Sequence, residues 1–228
     1  MIKFFLNIKV ILLFIINAIL FSSSILPLEL DFEIIVYEEG VSKKNLIFHT
    51  MNNQFLTILD SNLNPYWQIK VNEMGLDFKV NQNKLTYFQK DSTSWIVLNT
   101  DMQEIDTLKC INGLTADYHD IQLLENGGYI LQAYHDEIMD MSQYIPNGYT
   151  DAVVNELVIQ EFDYNHNLIF EWYAHNYLNI GDYSDLNLFL ADFTWMHGNS
   201  IEIDFDNHLI LSNRRSSEAI KIDRNTGN

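Results

Sequence analysis

One cysteine, three prolines and nine glycines are spread over 228 residues, and the 13 basic residues face 31 acidic ones. Each shortage excludes something. A lone Cys110 cannot close an intrachain disulfide even in an oxidising compartment, and its position rules out a lipid-attached N-terminus, which requires a cysteine at the cleavage site. With Leu108 and Ile111 as neighbours, the thiol reads as a small buried hydrophobe rather than a nucleophile. A formal net charge of −18 makes nucleic acid and anionic membrane poor partners. A small anionic substrate would have to be held by a local Arg or His cluster against the field of the whole chain. Long stretches of 3.6-residue periodicity are also missing, which disfavours a helical protein.

The first 24 residues differ from the rest. Lys3 and Lys9 lead into an apolar run over 10–21, followed by Ser22, Ser23 and Ser24. This is the pattern of an export signal, and the run is shorter than the roughly 18 residues that a spanning helix requires. Cleavage near Ser24 is expected, giving a secreted or periplasmic domain over 25–228 with no stable membrane insertion. An uncleaved N-terminal anchor is the alternative. Cleavage would remove two lysines and no acidic residue, so the remaining domain is more acidic still.

Short β-type runs dominate the rest of the chain. Strands are predicted over 46–49, 55–59, 67–71, 85–88, 95–99, 105–110, 129–133, 157–162, 168–172, 201–203, 209–212 and 219–222. Such regular spacing fits a sandwich, a barrel or a propeller, and self-similarity decides among them. Asp60, Asp163 and Asp223 each end an apolar strand and open a polar turn; after the first two, the chain returns through a strand carrying Trp67 or Trp172. A weaker copy runs from Asn99 to Ile105. A longer element starts at His119 and recurs at His197: each histidine precedes a strand, a polar turn and an apolar returning strand. Units of about 40 to 50 residues are the mark of a β-propeller, and about four are present after residue 24. The segments 137–151 and 174–192 interrupt the pattern as long connections that either cover one face or pack the rim. The chain stops in the turn after Asp223, where a closed propeller would continue, so a truncated propeller is expected.

A histidine at the entry of a propeller strand lies near the central channel, and two of them can converge on one ligand. Arg214 follows the strand after His197 and can join them. Two imidazoles and a guanidinium suit an oxyanion, because Arg offers paired planar donors and His exchanges protons near neutral pH. The alternative is a pair of satisfied core histidines. Tyr118, Trp195 and Met196 flank the histidines and can face an aryl ring or pack in the core. His166 and His208 fall in turns, and His175 follows a strand end. His135, Asp136, Glu137 and Asp140 are metal-ligand types, but their spacing matches no metal site, and no metal or other cofactor is expected. Asp204 and Asp206 lack the glycine and distal glutamate of a calcium loop.

The segments Tyr118-His119-Asp120, Gly127-Gly128-Tyr129-Ile130-Leu131, His197-Gly198-Asn199-Ser200-Ile201, Leu211-Ser212-Asn213-Arg214 and Lys221-Ile222-Asp223 together resemble the arylsulfotransferase family from about residue 117 onward. That resemblance implies a six-bladed propeller that moves a sulfuryl group from an aryl sulfate to a phenol without a nucleotide donor. It implies catalytic roles for His119, His197 and Arg214 and a covalently modified histidine on a later blade, beyond Asn228; beside the histidines, Tyr118, Trp195 and Asn199 are the candidate substrate contacts. This chain alone would then be inactive. Asn213 departs from the serine usual at its position. A non-catalytic exported propeller binding an aromatic or anionic ligand is the competing expectation. A purely structural repeat is a third, for which Arg214 should be exposed and apart from His119.

Overall fold

The computed structural model describes residues 46–51, 54–183 and 186–228. The chain divides into units 1–42 and 43–228, and every described residue belongs to the second. The expected signal segment lies outside the described residues.

The described chain is all-β, folded into four sheets of sequence-consecutive strands. Sheet one holds β1 (Ile47–Met51), β2 (Phe55–Leu59) and β3 (Pro65–Lys70). Sheet two holds β4 (Gly75–Asn81), β5 (Lys84–Gln89), β6 (Ser94–Leu98) and β7 (Glu104–Leu108). Sheet three holds β8 (Thr115–Leu123), β9 (Tyr129–Met139), β10 (Ala152–Phe162) and β11 (Leu168–Tyr173), all antiparallel, with β12 (Asp192–Thr194) parallel against β10. Sheet four holds β13 (Gly198–Ile203), β14 (Leu209–Asn213) and β15 (Glu218–Ile222). Among the described residues no helix is long and apolar enough to cross a membrane.

The turn repeat is a physical unit. Asp60 Oδ1 accepts from the backbone N–H groups of Asn62 and Asn64, both at 2.8 Å, and Asp163 Oδ1 accepts from those of Asn165 and Asn167 at 2.8 and 2.9 Å. Asn99 plays the same part toward Asp101 and Gln103. Leu63, Met102 and His166, the fourth residue of each turn, have φ near +60°. A short polar side chain that closes onto the backbone two and four residues ahead is what bends each strand back. His166 is therefore a turn residue, as its sequence position implies.

Alternating side chains bury one face of each sheet against the next. Leu56, Ile58, Phe78, Leu85 and Ile96 pack between sheets one and two. Phe88, Trp95, Ile121, Leu131 and Phe162 pack between sheets two and three. Leu157, Trp172, Trp195, Ile201 and Leu211 pack with sheets three and four. Each such fully buried large side chain contributes about 1.5–3 kcal/mol by leaving water. The first strands also meet in order: β1 packs on β4, β4 on β8 and β8 on β13. Polar side chains stitch these seams. Asn81 binds the backbone of Ile121 and Leu123, while Gln122 and Asp120 bind the backbone of Ile201.

Three strand expectations change. β4 is absent from the strands expected of the sequence: Asp77 has φ of 47° and a bulge separates Leu76 from Lys79, which breaks the alternation a strand shows in sequence. β12 is three residues long and is held only by pairing with β10. The connection expected over 137–151 begins later, because β9 continues to Met139 in unbroken register with β10. Met141, Ile180 and Leu188 from the two long connections are buried in the core of sheets three and four.

Candidate functional site

Two bulges place the two histidines. In the β8–β9 ladder Ala116 faces Ala133 and Ile121 faces Leu131, so Asp117, Tyr118, His119 and Asp120 stand opposite Gln132 alone. That excess lifts His119 out of the ladder. At the start of β13, Gly198 faces Asn213 and Ser200 faces Ser212, leaving Asn199, two residues after His197, in a second bulge. Bulges of this kind re-aim side chains and recur beside active sites.

The lifted rings meet. His119 and His197, from different sheets, lie with ring centroids 4.7 Å apart at an interplanar angle of 77°. Asp117 Oδ1 lies 2.7 Å from His119 Nδ1 and also accepts the His119 backbone N–H at 2.9 Å. Because a carboxylate only accepts, this contact puts the proton of the neutral ring on Nδ1 and leaves Nε2 for chemistry. Tyr118 stacks on His119 at 4.2 Å and is 44 % exposed, an aromatic surface at the edge of the cluster.

His197 is held by its backbone. Its N–H donates to Asn213 Oδ1 at 2.9 Å and its carbonyl accepts the Arg214 N–H at 2.8 Å. Asn213 is buried and also anchors the next turn, donating to Ser216 Oγ and accepting from the Arg215 N–H. Burial, then the neighbouring His119 and Arg214, lowers the His197 pKa from its ordinary value. Arg214 is exposed, and among the described residues its guanidinium makes no ion pair despite the abundance of acids.

Gly198 permits the approach of the two sheets. A Cβ there would lie 1.9 Å from Gln132 Oε1 and 3.0 Å from a methyl of Leu157. Gln132 is fully buried, and neither atom of its amide finds a hydrogen-bond partner among the described residues. Tyr134, two residues along β9, brings its ring to 6.4 Å from His197, and burial raises its phenol pKa.

No protein-family model matches this chain. No curated protein matches it in sequence either. Among solved structures, a protein of unknown function from Bacteroides caccae is similar at 9% identity and a TM-score of 0.47, covering 81% of this chain and 56% of its own. KlAtg21, solved in complex with the coiled-coil of AgAtg16, gives 13% identity, a TM-score of 0.39, and coverage of 79% and 53%. BamB from Moraxella catarrhalis gives 12%, 0.31, and coverage of 78% and 49%. The chain spans about half the length of these structures. Likenesses this loose assign nothing, and the all-β architecture stands on strand pairing alone.

His119 and His197 thus meet, while Arg214 is tied to His197 through its backbone N–H and its side chain is exposed. Asn199 is half-buried in the second bulge. Trp195 is 1 % exposed, packs edge-on against Tyr183 and belongs to the core. Met196 is fully buried as well. Cys110 is half-buried, with burial pushing its thiol up to about 12, so it stays protonated at neutral pH. Asp117, Gln132, Tyr134 and the bracket role of Asn213 are additions from the structure. Of these only Asp117, two residues ahead of His119, carries a local signal in sequence. A cavity of about 420 Å³ between the ends of β8 and β13, lined by Gln122, Glu125, Glu202 and Arg224, contains none of the three expected catalytic residues.

Proposed function

We propose that the four sheets are consecutive blades of an exported β-propeller, and that His119, His197 and Arg214 form part of an aryl-sulfate sulfotransferase site. The ordered packing of first strands β1, β4, β8 and β13 supports the blade reading. The observation carrying the site is the edge contact of His119 with His197 across two sheets, with Asp117 behind one ring and the Arg214 backbone N–H bonded to the His197 carbonyl.

In this reading an aryl sulfate binds with its sulfate oxygens toward Arg214 and its ring toward Tyr118. A carrier histidine, which the family resemblance puts on a later blade, attacks sulfur with its nitrogen lone pair. The sulfur–oxygen bond to the aryl group breaks, and the departing oxygen takes a proton from the imidazolium of His119 or His197. In the second half the phenol oxygen attacks sulfur, its proton passes to the same imidazole, and the sulfur–nitrogen bond breaks to restore the carrier. Charge accumulates on the peripheral oxygens in both halves, where fixed donors stabilise it.

Calorimetric titration of this chain with 4-nitrophenyl sulfate tests the site by its affinity, and 4-nitrophenol released on transfer to added phenol is read on a chain extended to include the carrier histidine. Arg214→Ala is expected to weaken binding by about 1.5–3 kcal/mol, the range for a hydrogen bond to a charged group. Unchanged affinity in that variant would remove Arg214 from the site. The second reading, a propeller that binds an aromatic or anionic ligand without turnover, draws on the exposed Tyr118 ring stacked on His119. It predicts binding with no transfer even when a carrier histidine is supplied in an extended chain.

A further inference from the structure

We propose that His135, Glu137 and Glu156 form a binding site for a divalent transition-metal ion, separate from the His119–His197 cluster. The strand register creates it. His135 and Glu137 lie two residues apart on β9 and so share a face, and Glu156 on β10 is the direct cross-strand partner of His135. One nitrogen and two carboxylate oxygens from these residues lie within 4.8 Å of one another. His135 Nε2 and Glu137 Oε2 are already 3.2 Å apart. Two ligands about 2.0 Å from a tetrahedral zinc ion stand about 3.3 Å apart, so this edge of the site is preformed.

The charge balance points the same way. Glu156 is completely buried, Glu137 is its neighbour, and among the described residues neither carboxylate is paired with lysine or arginine. Compensation for Glu156 comes from His175, whose Nδ1 lies 2.6 Å from Glu156 Oε1 and whose backbone N–H donates to Oε2 at 2.8 Å. Each carboxylate oxygen retains a lone pair for a metal. The ring of Tyr173 packs near both histidines, 5.5 Å from His135 and 5.9 Å from His175. The side chains of His135 and Glu137 are 38% and 37% exposed, which leaves the ion a path inward. His135 follows Tyr134 in a regular strand, so the two project to opposite faces, and it is Tyr134 that borders His197.

A mixed nitrogen and oxygen set with open positions suits zinc or manganese rather than calcium. His175 acts as a positioning residue that orients Glu156, the part an outer hydrogen-bond partner plays at metal sites.

The experiment is calorimetric titration of the EDTA-treated full chain with Zn²⁺, accompanied by a thermal melt. One equivalent should bind saturably and raise the melting midpoint. His135→Ala, at a half-exposed position and with its fold checked by circular dichroism, should weaken that binding at least tenfold, and Glu137→Gln similarly. His175→Gln should weaken it by about 10- to 100-fold. His119→Ala should leave it unchanged. Absence of saturable binding by the wild-type chain, or equal binding by His135→Ala, overturns the proposal.

Discussion

His197 sits below its ordinary pKa chiefly because it is buried, with His119 and Arg214 adding to the effect. An unfolded chain therefore takes up a proton at this residue near pH 6.5 before the folded chain does, and folded stability falls as pH drops through that value. At the proposed site a bound anion would reverse the local balance. A sulfate beside the ring would favour the imidazolium, so the proposed anion binding should be coupled to proton uptake and tighten as pH falls from about 8 to about 5.5. Calorimetry across that range checks the sign, and an affinity that weakens toward acid contradicts it. The groups facing His197 in this titration are His119, Asp117, Arg214 and Arg215. Gly198 supplies a second residue-level expectation. Gly198→Ala places a methyl against Gln132 and should cost about 1–3 kcal/mol by overpacking, read from urea unfolding. A change below about 0.5 kcal/mol would mean that Gln132 swings away freely.

At the level of elements, the turns are the most legible part of the molecule and the bulges the least. Asp60, Asp163 and Asn99 announce their turns because side chain, backbone N–H groups and a left-handed residue all lie within five positions. Local chemistry of that kind is visible in sequence. The hydrogen bond from the Asn167 side chain, and then that from its backbone, holds the Asp163 carboxyl below its usual range. The stability this gives is present above the unfolded value near pH 3.9 and is lost as pH falls through the lower folded value. Asp163→Ala should lower the melting midpoint at pH 7, with the difference from wild type shrinking toward pH 2; a constant difference would argue against the ionised turn. The bulges that lift His119 and free Asn199 depend on which residues of the neighbouring strand pair, a long-range matter. The sequence motif locates both histidines but does not show that Asp117 backs one of them. Asn213, which in sequence is only a departure from a serine, is the side chain that fixes the His197 backbone. Trp195 lies two residues before His197 in sequence and yet is buried in the core, where the rings and aliphatic side chains of sheets three and four enclose it.

For the molecule as a whole, the strong negative charge and the cluster of His119, His197, Arg214 and Arg215 oppose one another. The proposed anion binding would depend on local donors and should weaken steeply if one is removed, while the general field would slow association. The four sheets join through first strands that pack in sequence order, so residues about 80 positions apart, Asp120 and Ile201, share a hydrogen bond and bring the histidines together. Repeat spacing makes the four-unit count legible, while the packing that joins those units is set by the core side chains of successive sheets. The most direct test of a shared site is a double-mutant cycle. Affinities for 4-nitrophenyl sulfate are measured calorimetrically for the wild type, His119→Ala, His197→Ala and the double variant, each checked for folding by circular dichroism. Two imidazoles acting on one sulfate should be non-additive by about 0.5–3 kcal/mol. Strictly additive losses, or a wild-type chain that binds no aryl sulfate, would contradict a shared site.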